Sequence, residues 1–503
     1  MKKTFYRIFA SLALLVSLAS CDNWFDVTPS TQNPEDDQFS TEAGFKHALT
    51  GCYINLVTSN VYVSGLTFTL PELIAQQYTP HAQNSLVALF NQNYTNATAE
   101  TYISNIWSSI YNAIANVNKI LEWCETNREV LDDVNYQLIK GELLAMRGFF
   151  HLDLLRNYGI GNLAGRSDWS NRATIPYIKV NSIEIQPQQT YSEALKFVIE
   201  DLTEAVSLLA VDPITESQEE SFYELANKDG YWSLNRNDRF NYYAAQAILA
   251  RAYMWRGSTS DMEAAAKILE EIIPAIEEKG IARFNVSAAD IMADYNGSAE
   301  AILRLEVQDL YSVTSGRFTK DVGPSYEFFY TSTAQRDAIY ESGAGIAASD
   351  LRYSVGFFTH TESTAADRVT SLKYLISLKT NSAGNVVNQK GYSCLIRLPE
   401  LYYMLSECQA KRTQPNMTKA LESLNKIRSM RILGVAPLTE TEVTDVETLE
   451  NELAKEYRKE FIAEGHYFYF CKRNGLPVAT LEFTDEEFML PYPEEERAVG
   501  RVQ

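Results

Sequence analysis

The chain has 503 residues, 46% of them hydrophobic, with a formal net charge of −21. That acidity argues against nucleic acid as a partner, because phosphate binding needs clustered Lys and Arg. The hydrophobic fraction is ample for a large core, and 30 Tyr with 23 Phe are enough to leave aromatic rings at the surface, where they suit stacking on ligands.

Residues 1–20 form a leader, with a basic start at Lys2, Lys3 and Arg7 and a short apolar run from Ile8 to Val16. The run is too short for a stable membrane span. Leu18-Ala19-Ser20-Cys21 then places small residues before a cysteine, which predicts a lipoprotein cleavage site with Cys21 acylated as the mature N-terminus. Several acyl chains on one cysteine suffice for stable anchoring. Loss of the leader removes three basic residues and moves the formal charge from −21 to −24. The other five cysteines, Cys52, Cys124, Cys394, Cys408 and Cys471, are scattered and form no C-x-x-C, so they are expected as small core residues.

Residues 21–40 are predicted to be a polar membrane tether. A helix follows, with Phe45, Leu49, Cys52, Tyr53 and Leu56 at three- and four-residue steps. Residues 59–96 are rich in Gln, Asn, Thr and Tyr and contain Pro71 and Pro80, which predicts one long irregular excursion. The apolar stripe Ile103, Ile106, Trp107, Ile110, Ile114, Val117, Leu121, Cys124 predicts a helix with Asn96 as N-cap. A second helix spans about 134–158 and ends at Gly159, and its Gly141, Ala145 and Gly148 let a neighbouring helix come close.

Thr190-Tyr191-Ser192-Glu193 is a capping box opening the next helix. Alanine-rich helices at about 240–256 and 261–279 form a hairpin, the unit of tetratricopeptide arrays. From 285 to 395 the helical signal weakens and loops with a few short strands are expected. Helices return at about 399–411, 417–430 and 446–464, before an extended tail from Gly475. The predicted fold is mainly α: irregular tetratricopeptide-like hairpins carrying long loops. We divide it into an N-terminal helical region, 41–284, and a C-terminal region, 285–503, packed on it.

Several segments together resemble the SusD/RagB family of nutrient-binding outer-membrane lipoproteins. Trp107, Tyr111, Ile114 and Asn118 match its W-Y-I-N helix, and the Gly141–Phe150 run with Arg147 looks like its Arg-Ala-Tyr helix. Asp201-Leu202 is similar to its I-x-x-D-L motif, and Ala244–Tyr253 to its Ala-Ala-x-x-Leu-Ala helix. Arg397, Glu400 and Glu407 fit its Arg-x-x-Glu-x-x-Leu-x-x-x-Glu helix, followed in order by Asn425–Arg428, Glu460–Gly465 and Lys472-Arg473. The resemblance covers nearly the whole mature chain. It implies a SusD-like fold and a non-catalytic protein on the outer face of the outer membrane. Such a protein captures oligosaccharides, or in some cases peptides, and serves as lid to a SusC-like, TonB-dependent transporter.

The motif residues Arg147, Glu400, Glu407, Arg428, Glu460 and Glu464 lie among apolar neighbours and are expected to pair inside the scaffold, since long charged side chains are rarely buried unless paired. A glycan site instead needs flat rings to stack on sugar C–H faces and amides to bind hydroxyls. Residues 76–96 offer that mixture in Gln76, Gln77, Tyr78, Gln83, Asn84, Phe90, Asn91, Asn93 and Tyr94, and the resemblance raises Tyr78 and Tyr94. The candidate ligand residues are Tyr78, Asn93, Tyr94, Tyr231, Trp232, Tyr311 and Tyr326. No cofactor is implied, and the five scattered histidines, with no H-E-x-x-H, give no metal site. Two other readings stay open: a secreted helical glycoside hydrolase, which needs two facing carboxylates, and a tetratricopeptide scaffold that binds protein only.

Overall fold

The computed structural model describes residues 35–216, 235–318, 327–359, 367–374, 379–380, 382, 386–388, 390–479 and 481–498. Cys21, Tyr231, Trp232 and Tyr326 lie outside them. Eleven longer helices carry the fold: α1 Glu42–Thr58, α2 Ala97–Thr126, α3 Asp133–Tyr158, α4 Tyr191–Leu208, α5 Tyr242–Arg256, α6 Thr259–Glu278, α7 Leu310–Phe318, α8 Leu398–Lys411, α9 Met417–Arg431, α10 Val446–Glu460 and α11 His466–Asn474. The fold is mainly α, with tetratricopeptide-like hairpins. No helix among the described residues is long and apolar enough to cross a membrane.

Their starts follow local chemistry. Asn96 accepts the backbone N–H groups of Thr98 and Ala99 at the head of α2, and Asp132 that of Asn135 at the head of α3. Thr190 and Glu193 make a reciprocal capping box on α4. Gly257, at φ +78, turns α5 directly into α6, a conformation that costs glycine little.

Packing runs as a chain of neighbours: α2 on α3, α3 on α4, α4 on α5, α5 on α6, α6 on α8 and α8 on α9. Close approach of α3 and α4 depends on the glycines. A Cβ on Gly148 would lie 2.8 Å from Leu202 Cγ, and one on Gly141 2.7 Å from Leu209 Cγ. Gly159 ends α3 in an extended conformation rather than a left-handed one; its role is space, since a Cβ would meet the Tyr191 hydroxyl at 2.7 Å. One hydrophobic cluster runs from Phe39 to Leu490 through both halves; all five described cysteines are buried, and Cys52, Cys124, Cys408 and Cys471 belong to it.

The 285–395 region holds loops, short helices and small antiparallel sheets. Ala301–Val307 pairs with Gly391–Arg397, and Thr331–Ser332, Arg368–Ser371 and Phe357–Thr359 pair in that order.

The expected excursion at 59–96 is a different object in its first half. Val61–Thr69 is π-helical, Leu70–Ile74 is α-helical, and nearly every residue there is buried. Val61, Val63, Leu66, Phe68, Leu70 and Leu73 are core residues, and tertiary packing overrides the Thr- and Pro-rich local signal. Glu72 pins this segment to the far end of the chain by accepting the N–H groups of Ala463 and Gly465, each at 2.8 Å. The helix expected through 464 stops at Glu460, and Gly465 follows at φ +80, where a Cβ would lie 2.5 Å from Pro71.

Candidate functional site

Residues 76–96 remain irregular apart from one helical turn at Val87–Phe90, and they lie across the start of the C-terminal region. The Thr79 N–H donates to Tyr330 O at 2.8 Å, and the Thr79 hydroxyl to Gln335 at 2.6 Å. Gln335 Nε2 returns to Gln76 O at 2.8 Å. Ser85 donates through its N–H and its hydroxyl to the Glu327 carboxylate, at 3.0 and 2.9 Å, and Arg317 on α7 holds Glu327 O at 2.9 Å. The loop and the 327–335 segment thus form one hydrogen-bonded face. The Arg368 guanidinium covers the Tyr330 ring at its edge, 4.2 Å from the centroid.

The candidate residues divide over this face. Tyr78 points inward: it is 2% exposed and stacked on Phe329, with centroids 5.0 Å apart. Its hydroxyl is buried with no hydrogen-bond partner. Gln77 and Asn84 are buried too; Gln77 accepts from Arg458 at 2.8 Å, and Asn84 caps the Leu86 N–H at 2.9 Å. Tyr94 is half-buried and donates to Glu487 O at 2.6 Å, fastening the loop to the C-terminal segment. Asn93 is exposed and accepts from Thr95 at 3.0 Å.

Tyr311, at the head of α7, is half-exposed, about 9 Å along the helix axis from Arg317. Of the four described candidates, Asn93 is exposed, Tyr311 and Tyr94 are partly buried, with the Tyr94 hydroxyl engaged by Glu487 O, and Tyr78 supports the loop from beneath. Thr79, Gln83 and Asn91 are exposed on the same loop and His81 partly so. The pairing of Thr79 and Ser85 with residues some 250 positions later carries no local sequence signal.

The motif residues converge elsewhere, in two buried networks. In the first, Arg147 meets Asp201 through Nε at 2.6 Å and Nη2 at 2.8 Å, and donates to Asn118 Oδ1 at 3.0 Å. Tyr177 donates to Asp201 at 2.6 Å and lies stacked on His151, centroids 3.8 Å apart. Asn118 donates to Ile178 O, Tyr111 to Pro176 O, and the Ile178 N–H to His151 Nε2 at 3.0 Å. Burial pushes the His151 imidazole down to about 3, so it is neutral and can accept that bond.

In the second, Glu460 accepts from Arg352, Arg397 and Arg431 between 2.9 and 3.2 Å. Glu300 accepts from Arg397 and Arg431 at 2.7 Å, and Glu464 from Arg397 at 2.7 Å. Glu400 pairs with Arg251 at 2.7 Å, Glu407 with Arg473 at 2.8 Å, and Arg428 faces Glu452 at 3.7 Å. Burial by itself would raise the carboxyls of Glu407 and Glu456; Arg473 and Arg352, respectively, outweigh it and hold both near about 2. A cavity of about 60 Å³ beside this network is lined by the paired groups themselves. A wider groove of about 960 Å³ opens beside the α5–α6 turn, and its charged lining is paired as well, Arg166 with Asp485 and Arg256 with Asp261.

Residues 23–254 match a family model described as starch-binding, associating with outer membrane, and residues 287–496 match the SusD family model that also carries the RagB name. The chain belongs to the SusD/RagB family. A SusD superfamily protein from Bacteroides thetaiotaomicron superposes with TM-score 0.66 at 19% identity, covering 92% of this chain and 99% of that one. A SusD-like carbohydrate binding protein from Bacteroides vulgatus gives 0.65 at 17% identity, with 92% and 97% covered. Surface glycan-binding protein A from Bacteroides uniformis gives 0.67 at 16% identity, with 92% and 99% covered. No curated protein matches the chain by sequence.

Proposed function

We propose that this chain is a non-catalytic, lipid-anchored protein of the outer face of the outer membrane that binds an oligosaccharide and hands it to a SusC-like, TonB-dependent transporter. In this reading Cys21 carries the lipid and the tether ends before Glu35, short of the expected residue 40, because Glu35–Gln38 is helical and Phe39 is packed in the core; the rest of the chain builds one body. The observation that carries it is the division of labour among polar groups. The buried motif carboxylates Glu400, Glu407, Glu460 and Glu464 are each held by arginine, which leaves them unsuited to the facing acid and base of a hydrolase. The loop 76–96 instead leaves the hydroxyl and amide groups of Thr79, Gln83, Asn91 and Asn93 exposed, the composition a sugar needs.

Two of the similar solved proteins are named for carbohydrate or glycan binding, which supports the same ligand class. Tyr311 serves as stacking platform in this reading, with Asn93, Asn91, Gln83 and Thr79 as hydroxyl partners; Tyr231, Trp232 and Tyr326 are proposed beside them. The test is a glycan array with residues 22–503, followed by titration calorimetry on the best ligand. Binding without cleavage supports the proposal. Hydrolysis lost on changing one carboxylate favours an enzyme, and retention of peptides alone moves the ligand class.

A further inference from the structure

Nine large hydrophobic residues are exposed among the described residues, and three of them, Val180, Ile183 and Ile185, fall within six positions of one loop. Of the others, Val286 and Met292 lie six positions apart and the rest stand singly, as exposed apolar residues do on any protein. Ile183 is fully open, at 104% of its reference exposure, with Val180 at 54% and Ile185 at 65%. The chain bends at Ile183 and Glu184, so the apolar side chains sit at the turning point of the loop. Clustered exposed aliphatics mark a surface that meets something apolar.

This loop is not loosely held. Its root is bolted to the scaffold by the first motif network: Asn118 and His151 grip Ile178, Tyr111 grips Pro176, and Arg147 Nη1 donates to Lys179 O at 3.3 Å. On the return side, Gln189 O accepts from the Thr174 N–H at 2.9 Å. A fixed root and an apolar tip describe a finger.

The root of the finger lies near the place where the N-terminus leaves the body. Glu35, the first described residue, pairs with Lys119 at 2.5 Å, and Phe39 stacks on Trp123 with centroids 5.2 Å apart. Lys119 is next to Asn118, the residue that holds Ile178. The tether and the finger thus depart from the same turn of α2. Thirteen residues separate Cys21 from Glu35, a reach of at most about 45 Å, so an acylated Cys21 keeps this end of α2 within that distance of the membrane.

We propose that Val180, Ile183 and Ile185 form a second membrane contact, entering the lipid interface beside the anchor and fixing the orientation of the body over the bilayer. The proposal rests on the reading of Cys21 as lipid attachment, which mass spectrometry of the intact chain checks by itself. The acylated cysteine holds the chain to the membrane but leaves the body free to turn on its tether, and an apolar finger supplies a second point of contact that fixes it.

The test tethers residues 22–503, through an N-terminal hexahistidine tag, to phosphatidylcholine vesicles containing a nickel-chelating lipid, so that its outcome does not depend on acylation. Ser182→Cys in this chain carries an environment-sensitive fluorophore; the native cysteines described are buried and do not compete. The expected result is a blue shift on tethering that is lost when Val180, Ile183 and Ile185 are all changed to Ser, with circular dichroism unchanged. Emission that stays water-like on the vesicles overturns the proposal. So does a shift that appears only when a transporter is added to the membrane, which would assign the finger to protein.

Discussion

Arg147 on α3 and Asp201 on α4 form a two-pronged ion pair, 2.6 and 2.8 Å, almost entirely out of water. The pair does more than join two helices. Asp201 also receives the Tyr177 hydroxyl, and Arg147 steadies Asn118 and Lys179 O, so one pair fixes both the helix stack and the 176–179 segment. Removing one partner leaves a buried charge without compensation, which costs roughly 3–5 kcal/mol. Arg147→Met and Asp201→Asn should each lower stability by about that amount in urea unfolding, and the double variant should cost less than the sum.

The same network sets a pH dependence. His151 titrates near 6.5 when unfolded and is pushed by burial to about 3 in the fold. Its neutral form therefore favours folding fully above pH 6.5, and that contribution is lost as pH falls toward 3, by up to about 1.4 kcal/mol per unit. The contributions of Glu407 and Glu456, held near about 2, are full above the usual carboxylate range and vanish only as pH drops through about 2. Between pH 6.5 and 4.5 the slope should thus be reduced in His151→Gln by close to one proton. An unchanged slope would show that the imidazole is not buried neutral.

Gly148 tests the helix spacing. Alanine normally improves a helix interior by about 1 kcal/mol. Here the new methyl would sit 2.8 Å from Leu202 Cγ, and overpacking of this kind costs about 1–3 kcal/mol. Gly148→Ala should therefore be net destabilising, and Leu202→Ala should recover part of the loss when combined with it. Thermal unfolding of the four proteins decides the point.

Tyr78 and Tyr311 should respond in opposite ways. Tyr78→Phe removes a buried hydroxyl that has no partner and should be neutral to stabilising by about 1 kcal/mol, with ligand affinity unchanged. Tyr311→Ala should change unfolding stability by no more than about 0.5 kcal/mol, while weakening oligosaccharide binding about tenfold if the ring stacks on sugar. Calorimetry beside a melting curve separates the two effects.

Much of the scaffold could be read from local pattern. The stripe Ile103–Cys124, the Asn96 cap, the Thr190–Glu193 box and the paired alanine-rich helices all appear where the spacing places them. The pairing of the motif charges was legible too, because a charged residue amid apolar neighbours needs a partner. The candidate site was legible only in part. Composition marked residues 76–96, but a tyrosine in a loop carries no sign of which way it faces. Tyr78 finds Phe329, some 250 positions later, and goes inward; Asn93 meets nothing comparable and stays out.

The amino-acid order alone determined where helices begin, which faces they bury and which family the chain resembles, because period and capping are properties of neighbouring residues. Only the folded body decided that Val61–Ile74 is core rather than loop, that Asn118, Arg147, His151 and Asp201 meet around one segment, and that Ile183 stands open to solvent. Those outcomes depend on contacts between residues tens to hundreds of positions apart, and burial is a property of the assembled surface rather than of any window of sequence.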